Sequence, residues 1–389
     1  MYTGKIVFSQ IMSYLPKYQF LKIVNKYNGD YKSKSFNCWQ QFLCMCFAQL
    51  TYRESLRDIE SCIDAIGSKR YHLGLKQRVP KSTLAYANET KDWRIYADFA
   101  QVLIQQALSL YKDDSELSVD LKNSVYAFDS TTIDLCLTLY PWAHFRKTKS
   151  GIKLHTLLDV KCSIPTCIII TDALTHDVNL LDQIPVEPGA FYIIDRGYND
   201  FAKLYRINKQ LGYFVVRAKK NLSFNRIYSN KANRLTGVVC DQTINFKGFY
   251  SQRDYPSKLR RIKLFDSEKQ KSIVLLTNNL ELPAETIGEL YINRWKIELF
   301  FKWIKQHLRI KAFYGTSENA VKTQIWIAVC TYVIVAILKK KLKIEQNLYN
   351  ILQVLSISLF EKMPLNTMFS KNDYNTLKSI NSNSLILFD

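Results

Sequence analysis

Two short apolar runs, Val125-Tyr-Ala-Phe-Asp129 and Phe191-Tyr-Ile-Ile-Asp195, each close on an aspartate. Both read as strands. If they lie side by side and parallel in one sheet, both carboxylates leave it at the same edge. Carboxylates held that close repel, and one pKa rises unless a cation neutralises them. A hard divalent ion with oxygen ligands is the natural neutraliser, and Mg²⁺ is usual where phosphate is the substrate. Either acid alone also fits a turn former or a helix cap.

The pattern around them changes period twice. Residues 1–118 read as helical: Trp39–Leu50 and Ser55–Ile63 are apolar at helical spacing. Pro80–Glu89 begins like a helix, with Ser82 or Thr83 as its cap. This succession fits a helix-turn-helix entering a DNA groove and equally a plain helical bundle. From Val125 the period is two. Ile152, Leu154, Thr156, Leu158 and Val160 alternate with more polar neighbours, and Cys162–Pro165 turns the chain into Thr166–Thr171. Together they predict a three-strand antiparallel meander. Phe201–Leu211 follows as a helix stopped by Gly212, then the strand Tyr213–Val216. Lys203–Lys271 holds 17 Lys/Arg against four acids, with aromatics interleaved. That predicts an inserted, basic, β-rich region at about 217–282. Helices return from Pro283 to Lys311, across Ile325–Leu338, and to the end.

Lys+Arg 54 against Asp+Glu 34 leaves a net charge of +20. Such an excess favours a polyanionic partner, because clustered cations attract phosphates over long range. No signal peptide is visible near Met1. Ile325–Leu338 is apolar for 14 residues, short of the ~20 that span a bilayer, so a buried helix and no membrane are expected. The nine cysteines show no zinc spacing, which predicts reduced core thiols in the cytoplasm.

The third piece of the site is Tyr291-Ile-Asn-Arg-Trp-Lys-Ile-Glu-Leu-Phe-Phe-Lys-Trp-Ile-Lys305. Read as one helix at ~100° per residue, it places Arg294, Glu298 and Lys305 within roughly 60° of Tyr291. The rest of its circumference is largely apolar, which predicts burial. An acid flanked by Arg and Lys in a buried helix needs a partner, and a phosphodiester with metal provides one.

The spacing Tyr291-x2-Arg294-x3-Glu298-x6-Lys305 matches the signature of bacterial insertion-sequence transposases of family four, within the Asp-Asp-Glu (DDE) superfamily. Phe128-Asp129-Ser130-Thr131 and Ile194-Asp195-Arg196-Gly197-Tyr198 resemble that family's blocks around its two aspartates. The resemblance covers roughly Asp120 to Val335, and Phe36–Glu60 looks like the leading domain often joined to it.

The resemblance implies an α/β fold: an RNase H-like mixed sheet flanked by helices, with a β-rich insertion and a helical N-terminal domain. Residues 1–118 would bind the inverted repeats, 119–335 would form the catalytic domain, and 336–389 would be a helical C-terminal region suited to dimerisation or to packing on its own core. It further implies a DNA transposase that cuts and joins with two Mg²⁺ ions, for which Mn²⁺ can substitute. Asp129, Asp195 and Glu298 would be catalytic and hold metal; Tyr291, Arg294 and Lys305 would contact DNA phosphates. Double-stranded DNA and a second copy of the chain are the implied partners, and the bacterial nucleoid the place of action. Two other readings share these residues: an RNase H-like metal-dependent nuclease without joining, and a non-catalytic protein that only occupies the element's ends. Relatives that flip a base with an insertion-domain tryptophan give no guide, since no Trp lies between Ala143 and Arg294. His176-Asp177 fits either a place near the site or a structural role.

Overall fold

The computed structural model describes residues 4–114, 117, 121–146, 149–266, 270–307 and 313–369. Six helices lead: α1 (Val7–Ser13), α2 (Lys17–Lys26), α3 (Cys38–Leu50), α4 (Leu56–Ala65), α5 (Lys81–Thr90) and α6 (Arg94–Leu110). The strands follow as β1 (Val125–Leu135), β2 (His144–Arg146), β3 (Lys149–Asp159), β4 (Ile164–Asp172), β5 (Phe191–Ile194), β6 (Tyr213–Arg217), β7 (Phe224–Asn230), β8 (Val238–Phe246), β9 (Leu259–Asp266) and β10 (Lys271–Thr277). Helices α7 (Phe201–Lys209) and α8 (Phe249–Asp254) lie among them, and α9 (Ala284–Ile292), α10 (Trp295–Lys302), α11 (Glu318–Lys341), α12 (Leu348–Ser358) and α13 (Leu365–Met368) close the described chain.

The described strands form one ten-stranded sheet in the order β2-β3-β1-β5-β6-β10-β9-β8-β7, with β4 also paired to β3. The meander expected from the alternation is present: β1, β3 and β4 pair antiparallel. Strands β1, β5 and β6 run parallel. The basic insertion extends this same sheet, because β10 returns antiparallel onto β6, with Leu275 opposite Arg217 and Thr277 opposite Val215. Pairing of this kind satisfies main-chain groups that the free edge of β6 would otherwise leave without partners.

Side-chain alternation sorts the sheet into two faces. Val125, Ala127, Ile133, Phe191, Ile193 and Val215 join the core shared with the helices at both chain ends. Tyr126, Phe128, Tyr192, Ile194, Phe214 and Val216 join a second core with Leu204 and Ile207 of α7 and with Tyr198. The result is a mixed sheet covered by helices on both faces.

The helical layer on the first face draws on both ends of the chain. α3 is held at its start by a reciprocal cap between Asn37 and Gln40 and is buried along its whole length apart from Trp39 and Gln40. The main-chain N–H groups of Val7 and Phe8 donate to the carbonyls of Glu361 and Leu359, and Leu352 and Leu355 of α12 are wholly buried in the same core. α11 is long and apolar enough to cross a bilayer by length and composition, and here it is buried within the fold. It runs through the boundary expected at 335, since Ala336, Ile337 and Leu338 continue its buried pattern. Residues 370–389 of the expected C-terminal region lie outside those described.

Several local expectations are corrected. Pro80, extended, is the N-cap of α5, so Ser82 and Thr83 fall inside its first turn and neither caps it. At the end of α7 the left-handed residue is Leu211 (φ 60) rather than Gly212. Gly212 is required by space, since a Cβ there would meet Val186 Cγ1 at 2.9 Å. Among the cysteines, none disulfide-bonded, Cys38, Cys44, Cys46, Cys162 and Cys330 are buried, whereas Cys136 is exposed.

Candidate active site

Register places the first two acids. β1 and β5 pair in parallel up to Phe128 opposite Ile194, and Asp129 and Asp195 are the next residue on each strand. Strands in a sheet lie ~4.8 Å apart, so the two acids are neighbours at one edge. By alternation both face the helices of the first core. Asp129 does not end its strand as the sequence suggested: β1 continues to Leu135, with Asp129 opposite Thr156 of β3. What ends at Asp129 is the pairing with β5.

The third element is a jointed helix rather than a single one. α9 stops at Ile292, Asn293 and Arg294 form a turn, α10 covers Trp295–Lys302, and Trp303–His307 widens into a π-helical turn. The stripe drawn on an unbroken helix is therefore approximate, yet the joint brings its residues to the acids. Arg294 donates to Asp129 Oδ2 at 3.2 Å and to Glu298 Oε1 at 2.6 Å. The Tyr291 hydroxyl donates to Asp195 Oδ1 at 3.4 Å. Lys305 Nζ lies 2.6 Å from the Thr132 carbonyl on β1. All six expected site residues thus lie on β1, just beyond β5, on the α9–α10 segment, or, for Lys305, in the π-helical turn that follows it.

Burial of this segment is one-sided, contrary to expectation. Ile297, Phe300, Phe301 and Ile304 are buried, but Ile292, Trp295 and Leu299 are 70%, 58% and 50% exposed. The sheet covers only one flank, so the apolar residues on the other flank meet solvent beside the acids.

Burial pushes the Asp129 carboxyl up to about 6, with Asp195 and Glu298 adding to the rise and the Arg294 guanidinium opposing it. The rise expected from repelling carboxylates is present, though desolvation outweighs repulsion. Burial also raises the Tyr291 hydroxyl, helped by Asp195.

The donors present are hard carboxylate oxygens, which suit a divalent ion. A cation, the Arg294 guanidinium, already lies between two of them. The residues fit such an ion in chemistry, although among the described residues no three acid, His or Cys side chains are gathered closely enough to hold one as they stand.

The basic region expected at Lys203–Lys271 gathers part of its charge in a cleft that also takes in Arg196, the residue after Asp195 and one that the sequence analysis did not single out. Arg196, Arg217, Lys219, Lys220 and Arg261 line a cavity of ≈ 180 Å³ with Leu222, Phe224, Ile273 and Val274, and no described carboxylate lines it. Arg261 lies over the Phe224 ring at 4.9 Å. The signal was present in Arg196 directly after Asp195 and in the run Arg217-Ala-Lys-Lys220. His176 is exposed, whereas Asp177 pairs with Lys153 at 3.2 Å. The buried His155 bonds Thr171 at 2.9 Å on the sheet face opposite the acids.

A family model described as the transposase DDE domain matches residues 120–334. The chain belongs to the DDE transposase family. The match spans the sheet, the two aspartates and the α9–α10 segment, and the mixed sheet is the RNase H-like fold of such transposases. Membership carries dependence on a divalent metal. A second family model, described only as a domain of unknown function, matches residues 3–76. This DDE transposase is 30% identical to transposase y4zB of Sinorhizobium fredii over 72% of its own length and 77% of that protein's. It is 28% identical to a transposase for insertion sequence element IS5377 of Geobacillus stearothermophilus, over 64% of this chain and 66% of the other. A transposase for element IS4SA of Synechocystis is 24% identical over 67% and 72% of the two chains.

Proposed function

We propose that this DNA transposase binds the ends of its insertion sequence, hydrolyses phosphodiester bonds there and joins the 3′-hydroxyl ends to target DNA. Asp129, Asp195 and Glu298 are the catalytic acids and would hold the two Mg²⁺ ions, the carboxylate oxygens supplying the hard ligands such ions take. When bound, the ions supply Lewis acidity to the leaving oxygen and a nucleophilic water or hydroxyl.

The chain's own residues do the positioning. The fixed register of β1 and β5 sets the spacing of Asp129 and Asp195, and α10 brings Glu298 to the same edge. Arg294 and Lys305 grip phosphates flanking the scissile bond, and Tyr291 orders Asp195 through its hydroxyl. The cationic cleft lined by Arg196, Arg217, Lys219 and Lys220 carries the DNA backbone to the acids; like charges converging without a carboxylate favour an anion between them.

Residues 1–118 hold the inverted repeats, and two copies bring two ends together. Tyr349 and Ile357 of α12, 43% and 86% exposed, support a dimer contact in the C-terminal region. Membership of insertion-sequence family four remains part of this reading, resting on the spacing of Tyr291, Arg294, Glu298 and Lys305.

The observation that carries the reading is the meeting of Asp129 and Glu298 on one guanidinium, next to Asp195. The experiment is incubation with Mg²⁺ and a duplex bearing the inverted repeats that flank the reading frame. Cleavage at the repeat ends followed by joining to a second DNA is expected. Cleavage without joining of a pre-cut end would make the protein a nuclease; end binding without cleavage would make it a non-catalytic occupant.

A further inference from the structure

We propose that Arg294 is an internal counter-ion that stands in the metal's place between Asp129 and Glu298 and leaves it for a DNA phosphate when metal enters. This rests on the metal-dependent reading above and adds the order of events at that site. Its two Nη groups each serve one acid, at 3.2 Å and 2.6 Å. The guanidinium thereby neutralises both carboxylates and holds the position that an ion between them would take.

Two further observations mark the position as temporary. The Nε of Arg294 is buried and has no hydrogen-bond partner among the described residues. Such an orphaned donor is costly, and a phosphodiester would satisfy it, because Nε and an Nη together match the bidentate geometry of a phosphate. In addition, Arg294 sits at the joint between α9 and α10, outside either run of helix. The Tyr291 ring, with its centroid 5.9 Å from the guanidinium, offers a face along which the cation can shift.

A divalent ion entering between the acids has to displace the guanidinium, so wild-type protein without DNA binds metal more weakly than its three carboxylates would allow. The vacated guanidinium is then free for the incoming strand, and metal and DNA favour each other by exchanging the same side chain.

The test is Mn²⁺ titration without DNA, followed by the electron paramagnetic resonance of free Mn²⁺, on wild type, Arg294→Gln and Arg294→Lys. Arg294→Gln removes the competing charge and should bind Mn²⁺ about tenfold more tightly than wild type. Arg294→Lys, a point charge that cannot bridge two acids, should fall between. Without metal, Arg294→Gln should melt below wild type and regain the loss when Mn²⁺ is added. Equal or weaker Mn²⁺ binding by a folded Arg294→Gln overturns the counter-ion role and leaves the metal reading standing. Absence of Mn²⁺ binding in all three proteins overturns both. Should Arg294→Gln not fold, Arg294→Lys decides alone: tighter binding than wild type supports the proposal, and equal or weaker binding overturns it.

Discussion

Asp129 and Asp195 each stand one residue beyond the last register pair of two parallel strands, Phe128 opposite Ile194. Their proximity is therefore a property of the sheet and not of flexible loops. A site built on strands keeps its geometry when single side chains change, which makes substitution of the acids informative.

The basic insertion holds both a buried, paired cation and cations that line the open cleft. Alternation along β9 sends Arg260 inward, where it pairs Asp241 through two 2.8 Å bonds and also reaches the Leu282 carbonyl at 2.5 Å. Arg260→Gln leaves Asp241, 4% exposed, without its partner and should cost about 3–5 kcal/mol of stability. Chemical denaturation measures this, and the salt dependence of DNA binding should not change in the surviving folded protein.

The cleft cations should behave in the opposite way. Replacing Arg217, Lys219 and Lys220 by Gln should leave stability within about 1 kcal/mol. It should also flatten the slope of log K against log salt by roughly two to three units if all three meet phosphate. Fluorescence anisotropy on a duplex at several salt concentrations gives the slope; an unchanged slope places the DNA elsewhere.

Acid should destabilise the chain through His155. Burial depresses this imidazole to about 4 from an ordinary value of 6.5, so the folded state holds it neutral. Its contribution is complete above pH 6.5 and is lost as pH falls towards 4, because the unfolded chain takes up the proton first. The loss amounts to about 3 kcal/mol. Comparing wild type with His155→Gln by thermal melting from pH 7 to 4.5 isolates it: wild type should lose more stability than the variant.

Pairing of element ends is tested on α12 without opening its core. Ile357→Arg alters a residue 86% exposed, so folding and binding to a single end should persist. Paired-end complexes on a native gel should disappear if this surface joins two copies. Removing everything after Leu342 is the wrong variant for this question, since it takes away the buried Leu352 and Leu355 and the carbonyl partners of Val7 and Phe8.

The sequence made much of this site legible because its parts are periodic or local. Alternation placed β3 and β4, apolar runs closed by acids placed β1 and β5, and one spacing carried Tyr291, Arg294, Glu298 and Lys305. Long-range facts escaped it. Periodicity cannot say that β10 returns to β6 and makes the insertion part of the same sheet, nor that Arg260 finds Asp241 while Arg261 finds Cys240 and Gln242. The joint at Asn293–Arg294 also escaped, because no proline or glycine marks it. The exposure of Ile292 and Trp295 depends on how far the sheet reaches, which no local pattern encodes.

In the proposed function, Asp129, Asp195 and Glu298 act together as the metal-holding acids of a DNA-cutting site. The most direct test of that role is Mg²⁺-dependent cleavage of a duplex bearing the element's ends by wild type, Asp129→Asn, Asp195→Asn and Glu298→Gln, with end binding measured on the same samples. Wild type should cleave until the metal is chelated, and each variant should lose at least about 10³-fold in cleavage while end binding is retained. Cleavage by any folded variant at the wild-type rate would contradict that role.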